Sequence, residues 1–291
     1  MNDQYFFFFR ERNRFPIRTI FSSQLFIKLS RIEGAKMKVF LIFWIASVIG
    51  AIAVTPYQFK MLQGKIEEER RNKPGKKVPS TPVLMLISVF QSALLLGVAS
   101  YVGTRFAPKV DLHWYIVDNW LFGIDIPYSV PTMIVVAILA GLLLSILIIA
   151  IDMAFAKKMP KIDMPLPSRK QSLLASLYGG ISEEVLTRLF IMTITVYLTS
   201  LIGLEDSAYW IGIVVAALLF GVGHLPAAIQ AIGKTKVVVI RTILLNTIPG
   251  IVFGYLYWKY GIEIAMISHF AADIGLHVVF GPWYRNKIGQ K

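Results

Sequence analysis

At 291 residues the chain has the length of two soluble domains, yet 56% of it is hydrophobic, only 16% is charged and the mean hydropathy is +0.62, whereas soluble chains carry about 25% charge. These figures exclude disorder and collagen-like repeats, and the absence of cysteine excludes a disulfide-stapled module, a thiolate nucleophile and Cys-ligated zinc. The net charge of +13 comes from basic residues set between long apolar runs, where anionic lipid head groups account for them and no nucleic acid partner is expected.

The composition predicts an all-α, polytopic membrane bundle of about seven to eight transmembrane helices, because a hydrocarbon core about 30 Å thick takes roughly 20 apolar residues per crossing. Residues 1–36 come first as a basic segment. With Lys38 just beyond it, this region carries eight Lys and Arg, which would lie outside if the apolar run 39–54 crosses, against the positive-inside rule. One expectation is an interfacial amphipathic segment followed by a re-entrant run. Another is that residues 1–36 are not native and the chain starts at Met37, where Met37-Lys38 and an apolar run look like an ordinary beginning. A signal peptide fits poorly, since no small-residue cleavage site follows Val54.

Apolar runs at 83–102 and 133–155 complete an expected N-terminal membrane part, 37–170. The loop 60–80 carries seven Lys and Arg and is expected inside; the loop 103–130 sets Arg105 and Lys109 against Asp111, Asp118 and Asp125 and is expected outside. His113, among Trp114, Tyr115 and Trp120, reads as an interfacial aromatic belt. The remaining runs, 172–204, 208–228, 237–258 and 262–280, fall in an expected catalytic part, 171–283, with a cytoplasmic tail at 284–291. The run 172–204 is too long for a simple span, and Gly179-Gly180 predicts a kink or an extra short element.

An ionisable group inside a span costs about 2.5–3.5 kcal/mol on insertion scales, so each one retained is a functional candidate. Glu183 and Glu184 are the glutamates that lie in an apolar run away from its end. Asp273, with Asp152 near a boundary, and His224, His269 and His277 join them, as do Arg188, Arg241, Gln91 and Asn246. Glu184 and Arg188 are four apart and face each other, so the guanidinium neutralises one carboxylate and leaves Glu183 free. That pair reads equally well as a structural one. Ser182 stands where an N-cap would, which would put both carboxylates at the positive end of a helix. Phe220 and His224 share a face with glycines between them, and His269 and Asp273 share another, which His277 continues as an interhelical hydrogen-bond donor. Arg241, near an inner end, is expected to snorkel. Asn246, close to Pro249-Gly250, is expected to satisfy backbone groups at a kink or to face the pocket.

Bundling the three helices would gather Glu183, His224, His269 and Asp273 around one polar pocket able to hold a water. A glutamate with a histidine can deprotonate that water and a second histidine can donate to an oxyanion, a set suited to amide hydrolysis.

Glu183-Glu184-x-x-x-Arg188, then Phe220-x-x-x-His224, then His269-x-x-x-Asp273, in order on successive apolar helices, resembles the family of CAAX proteases and bacteriocin-processing enzymes, which includes the type II CAAX prenyl endopeptidases. The resemblance runs over about 172–280. It implies an intramembrane endopeptidase in which Glu183 and His224 activate water, Glu184 and Arg188 support the site, and His269 with Asp273 stabilises the oxyanion. The better-studied members carry Asn where Asp273 stands, and an ionised Asp cannot donate, so its role shifts to orienting His269, stabilising its protonated ring or ligating a metal. The implied partner is a membrane-associated peptide or protein, lipidated or not, within a lipid bilayer, and the expected setting is a prokaryotic cell membrane. No cofactor is required by the pattern. Zinc is an open alternative with Glu183, His224, His269 and Asp273 as candidate ligands, although no His-Glu-x-x-His motif is present. Two competing readings use the same pocket: a non-catalytic immunity or binding protein, and an ion-coupled transporter, which the absence of repeated halves disfavours.

Overall fold

The computed structural model describes residues 23–72, 79–159, 168–281 and 283–284, and no strand occurs among them. The order is α1 (Ser23–Asn72), α2 (Thr81–Phe106), a 3₁₀ turn (Ala107–Val110), α3 (Tyr115–Phe122) and α4 (Val130–Ala156). There follow α5 (Arg169–Leu177), π-helical stretches Tyr178–Glu183 and Val185–Met192, α6 (Thr193–Leu201), α7 (Glu205–Gly223), α8 (Leu225–Ile232), α9 (Lys236–Tyr260), α10 (Ile262–Ile274) and a π-helical turn Gly275–Val279. Seven helical segments are long and apolar enough to cross a membrane, and each overlaps one of the seven predicted runs, the first, Glu33–Asn72, extending well beyond the run 39–54. The protein is an all-α polytopic bundle.

Local chemistry sets the helix ends. Proline stands in the first turn of α2 and of α4, where its missing N–H costs nothing. A capping box starts α5: the Gln171 amide N–H donates to the Ser168 hydroxyl and the Ser168 N–H to the Gln171 side chain. At the other end of two helices the chain turns through glycines with positive φ, Gly123 after α3 and Gly261 between α9 and α10.

The chain divides into two units, Met1–Lys38 and Val39–Lys291. In the first, Lys36 donates to Glu33 at 3.1 Å on the exposed face of the helix. In the second, three close approaches bring the site-bearing helices together. A Cβ on Gly141 would strike the backbone carbonyl of Ser268, one on Gly103 the backbone of Leu189, and one on Gly50 the Ser182 hydroxyl. Small residues thus let α4 meet α10, α2 meet the stretch 185–192, and α1 meet the stretch 178–183.

Two expectations are corrected here. The run 39–54 is not re-entrant, because α1 continues unbroken for 50 residues, about 75 Å at 1.5 Å per residue; the basic residues up to position 22 lie outside the described residues. Ser182 is not an N-cap. The helix runs through it in π geometry and its hydroxyl donates to the Ser47 carbonyl of α1 at 2.7 Å. Breaking a helix at that point would leave backbone groups without partners at membrane depth, whereas a π turn absorbs the irregularity with its hydrogen bonds kept.

Candidate active site

Three segments converge on one chamber. The π-helical stretch 178–183 and the residue after it supply Glu183 and Glu184, the C-terminal end of α7 supplies His224, and α10 supplies His269 and Asp273. At its foundation lies a fully buried ion pair: Arg188 and Glu184 side chains are both 0% exposed and meet at 3.0 Å. The second guanidinium nitrogen donates to the Gly250 carbonyl of α9 at 2.9 Å, and Thr187 accepts from the first. Phenyl rings of Phe220 and Phe253 cover the guanidinium, with Cζ 4.9 and 5.5 Å from their centroids.

Glu184 Oε1 also accepts from His269 Nδ1 at 2.7 Å. A carboxylate accepts only, so Nδ1 carries the proton and Nε2 points the other way. There it faces Glu183 Oε2 at 4.0 Å and Asp273 Oδ1 at 3.9 Å. His224 is fixed by the same logic. Its Nδ1 donates to the Phe220 carbonyl at 2.8 Å, leaving Nε2 as a lone-pair base 3.8 Å from Glu183 Oε1. The Glu183 carboxylate therefore lies between two imidazoles, one oxygen toward each. These separations fall within what a water with two hydrogen bonds of about 2.8 Å can bridge.

Access to the chamber is graded, with side chains of His224 at 35%, Glu183 at 22% and Asp273 at 20% exposed but His269 at 7%. Gly179 helps to make the space, since a Cβ there would lie 2.8 Å from Asp273 Oδ2 and 3.2 Å from His269 Nε2. Among the described residues no group of three or more His, Cys, Asp or Glu side chains is disposed to hold a metal ion.

The structure thus brings Glu183, Glu184, Arg188, His224, His269 and Asp273 together. It leaves His277 out: the π turn at Gly275–Val279 shifts the register, and His277 is exposed rather than an interhelical donor. Arg241 does not snorkel but forms a two-pronged pair with Asp152 of α4, its Nη2 at 2.7 Å from Oδ2, and the Tyr284 hydroxyl donates to the same oxygen at 2.7 Å. Asn246 back-bonds to the Thr242 carbonyl at 2.7 Å, within its own helix. His113 stacks on Tyr115 at 4.7 Å and bonds Asp111 at 2.9 Å.

Two residues escaped sequence reasoning. Phe253 lies flat on the His269 ring, centroids 4.5 Å apart and planes 16° from parallel; an apolar residue on an apolar helix gives no signal. Glu263, in the first turn of α10, accepts from the Val117 amide of α3 at 2.9 Å and ties α3 to the helix that carries His269. Its position at the end of a run made it look like an ordinary first-turn acid.

The fold and the chamber define a multi-pass integral membrane protein with an acid and imidazole cluster inside its bundle. Residues 167–275 match the family model described as Type II CAAX prenyl endopeptidase Rce1-like. The match encloses all six site residues. Neither a curated protein nor a solved structure matches the chain.

Proposed function

We propose that the protein is an intramembrane endopeptidase that hydrolyses a peptide bond of a membrane-tethered, lipidated substrate by water that Glu183 and His224 activate. The observation that carries this reading is the placement of the Glu183 carboxylate between the Nε2 atoms of His224 and His269, 3.8 and 4.0 Å away. A water held by Glu183 and His224 gives its proton to Glu183 as its oxygen bonds to the carbonyl carbon. The carbonyl oxygen becomes an oxyanion that accepts from His269 Nε2–H. Because Nδ1–H is already donated to Glu184, this requires the doubly protonated ring, which the carboxylates of Glu183, Glu184 and Asp273 favour. Collapse of the tetrahedral intermediate breaks the C–N bond, and the proton held by Glu183 passes to the departing amine.

Glu184 and Arg188 act through His269, whose ring they orient. Asp273 balances the imidazolium charge, a task that asparagine could perform only as a dipole. No step is routed through a metal. The substrate class rests on the prenyl endopeptidase description of the matching family and on the depth of the chamber within membrane-length helices.

The test uses purified protein in lipid bicelles with a panel of internally quenched, farnesylated and unlipidated membrane peptides. Glu183→Gln and His224→Ala are expected to lower kcat by about 10²-fold or more, the range for a positioned acid or base, with substrate binding retained. Full cleavage by both variants would rule the reading out. Activity that disappears with a membrane-permeant chelator and returns with zinc would rule out the metal-free step.

A further inference from the structure

We infer that Phe253 is a positioning residue for the oxyanion-stabilising step: its ring, stacked on His269, holds the imidazole plane and stabilises its protonated form. This inference rests on the mechanism proposed above. His269 is anchored at one ring nitrogen only, by the 2.7 Å bond from Nδ1 to Glu184. A single hydrogen bond fixes the direction of that nitrogen but leaves the ring free to swing about the bond. Such a rotation would carry Nε2 away from the chamber. What opposes it is the flat contact with Phe253, at 4.5 Å and 16°. Phe220 meets His269 edge-on at 5.8 Å and 87° and closes another side of the ring.

Phe253 is itself immobilised. It is 1% exposed, and α9 is held to the site by the bond from Arg188 to the Gly250 carbonyl, one turn before it. The negative face of a phenyl ring attracts a cation lying over it, and burial away from water strengthens that attraction. In this stack the cation is the imidazolium that the oxyanion step needs, so the same ring supplies both orientation and charge stabilisation. An aliphatic side chain of similar volume would fill the space without either effect.

The test replaces Phe253 by 4-fluoro-, 3,5-difluoro- and 3,4,5-trifluorophenylalanine, which keep the ring's shape while draining its negative face. The readout is cleavage of whichever panel peptide the wild-type protein cuts. The expected result is a stepwise fall in kcat reaching roughly tenfold at the trifluoro ring, the size of a desolvated cation–π contact, with KM unchanged. Phe253→Leu, checked for folding by its thermal transition, is expected to lose at least as much. The same series at Phe220, whose ring faces Arg188 but meets His269 only edge-on, separates the share of the guanidinium, and a shallower fall is expected there. A flat series at Phe253, with Glu183→Gln inactive, would overturn this inference and leave the mechanism standing. Cleavage by Glu183→Gln at the wild-type rate, or no panel peptide cut at all, would overturn the mechanism and this inference with it.

Discussion

One oxygen of Glu184 accepts from donors on two other residues, Arg188 in its own helix and His269 from α10. That makes it the point where the fold's stability and the geometry of the site meet. Removing one partner of a buried ion pair leaves an uncompensated charge, which costs about 3–5 kcal/mol. Glu184→Gln is therefore expected to lower the thermal midpoint in detergent sharply and to abolish cleavage. Glu184→Gln combined with Arg188→Met, which removes both charges, should restore much of the stability and none of the activity. Additive losses in the two single variants and the double would refute the pairing. Half of this arrangement was legible in the sequence. The Glu184–Arg188 contact follows from a spacing of four within one helix, but the reach of His269 across 85 residues, and of Glu263 to Val117 across 146, depends on tertiary packing that no local period encodes.

Among the elements, the π-helical stretches Tyr178–Glu183 and Val185–Met192, with Glu184 between them, hold both glutamates and the arginine of the site. Their glycines read as a kink, which caught the irregularity but not its use. A Cβ at Gly179 would enter the chamber beside Asp273 and His269, so Gly179→Ala is expected to cut kcat by roughly tenfold or more while changing the thermal midpoint by only a few degrees, since no core packing is lost. A full-rate alanine variant would show that the space is not used. Ser182 looked like a cap because a serine before acids is the pattern of a helix start. Helix α3 offers a pH test. Burial raises the pKa of Asp118, and the Trp114 indole, donating at 2.8 Å, offsets this only in part. A raised carboxyl pKa stabilises the docked helix fully below the ordinary Asp value of about 4 and loses that contribution as pH climbs through the folded value. Hydrogen exchange over residues 115–122 should consequently quicken as pH rises, after correction for the intrinsic rate, and Asp118→Asn should flatten that trend.

At the scale of the whole molecule, seven helical segments are long and apolar enough to cross a membrane. Composition and apolar run length revealed the number of these segments because a bilayer sets a minimum length, but not the bounds of the first, which outruns 39–54 at both ends; the basic residues near the start pulled against the expected orientation. The chain has no cysteine, so single cysteines report topology without background. Lys65→Cys is expected to resist a membrane-impermeant maleimide in right-side-out vesicles and Asp125→Cys to react; the reverse pattern would invert the orientation. On the side expected to be cytoplasmic, Asp152 clasps Arg241 and Tyr284 from two other segments, so Tyr284→Phe should loosen the end of the bundle modestly, by about 1 kcal/mol, read as a lower midpoint with cleavage kept.

The bond from Ser182 to Ser47 joins the stretch matched by the family to a helix that lies well before it. A fragment cut to residues 167–291 would keep every acid and imidazole of the site yet lose the Ser47 carbonyl that holds Ser182. Domain trimming or transplantation guided by sequence similarity alone is therefore expected to weaken that helix's support, and a fragment 167–291 as thermally stable as the full chain would refute this.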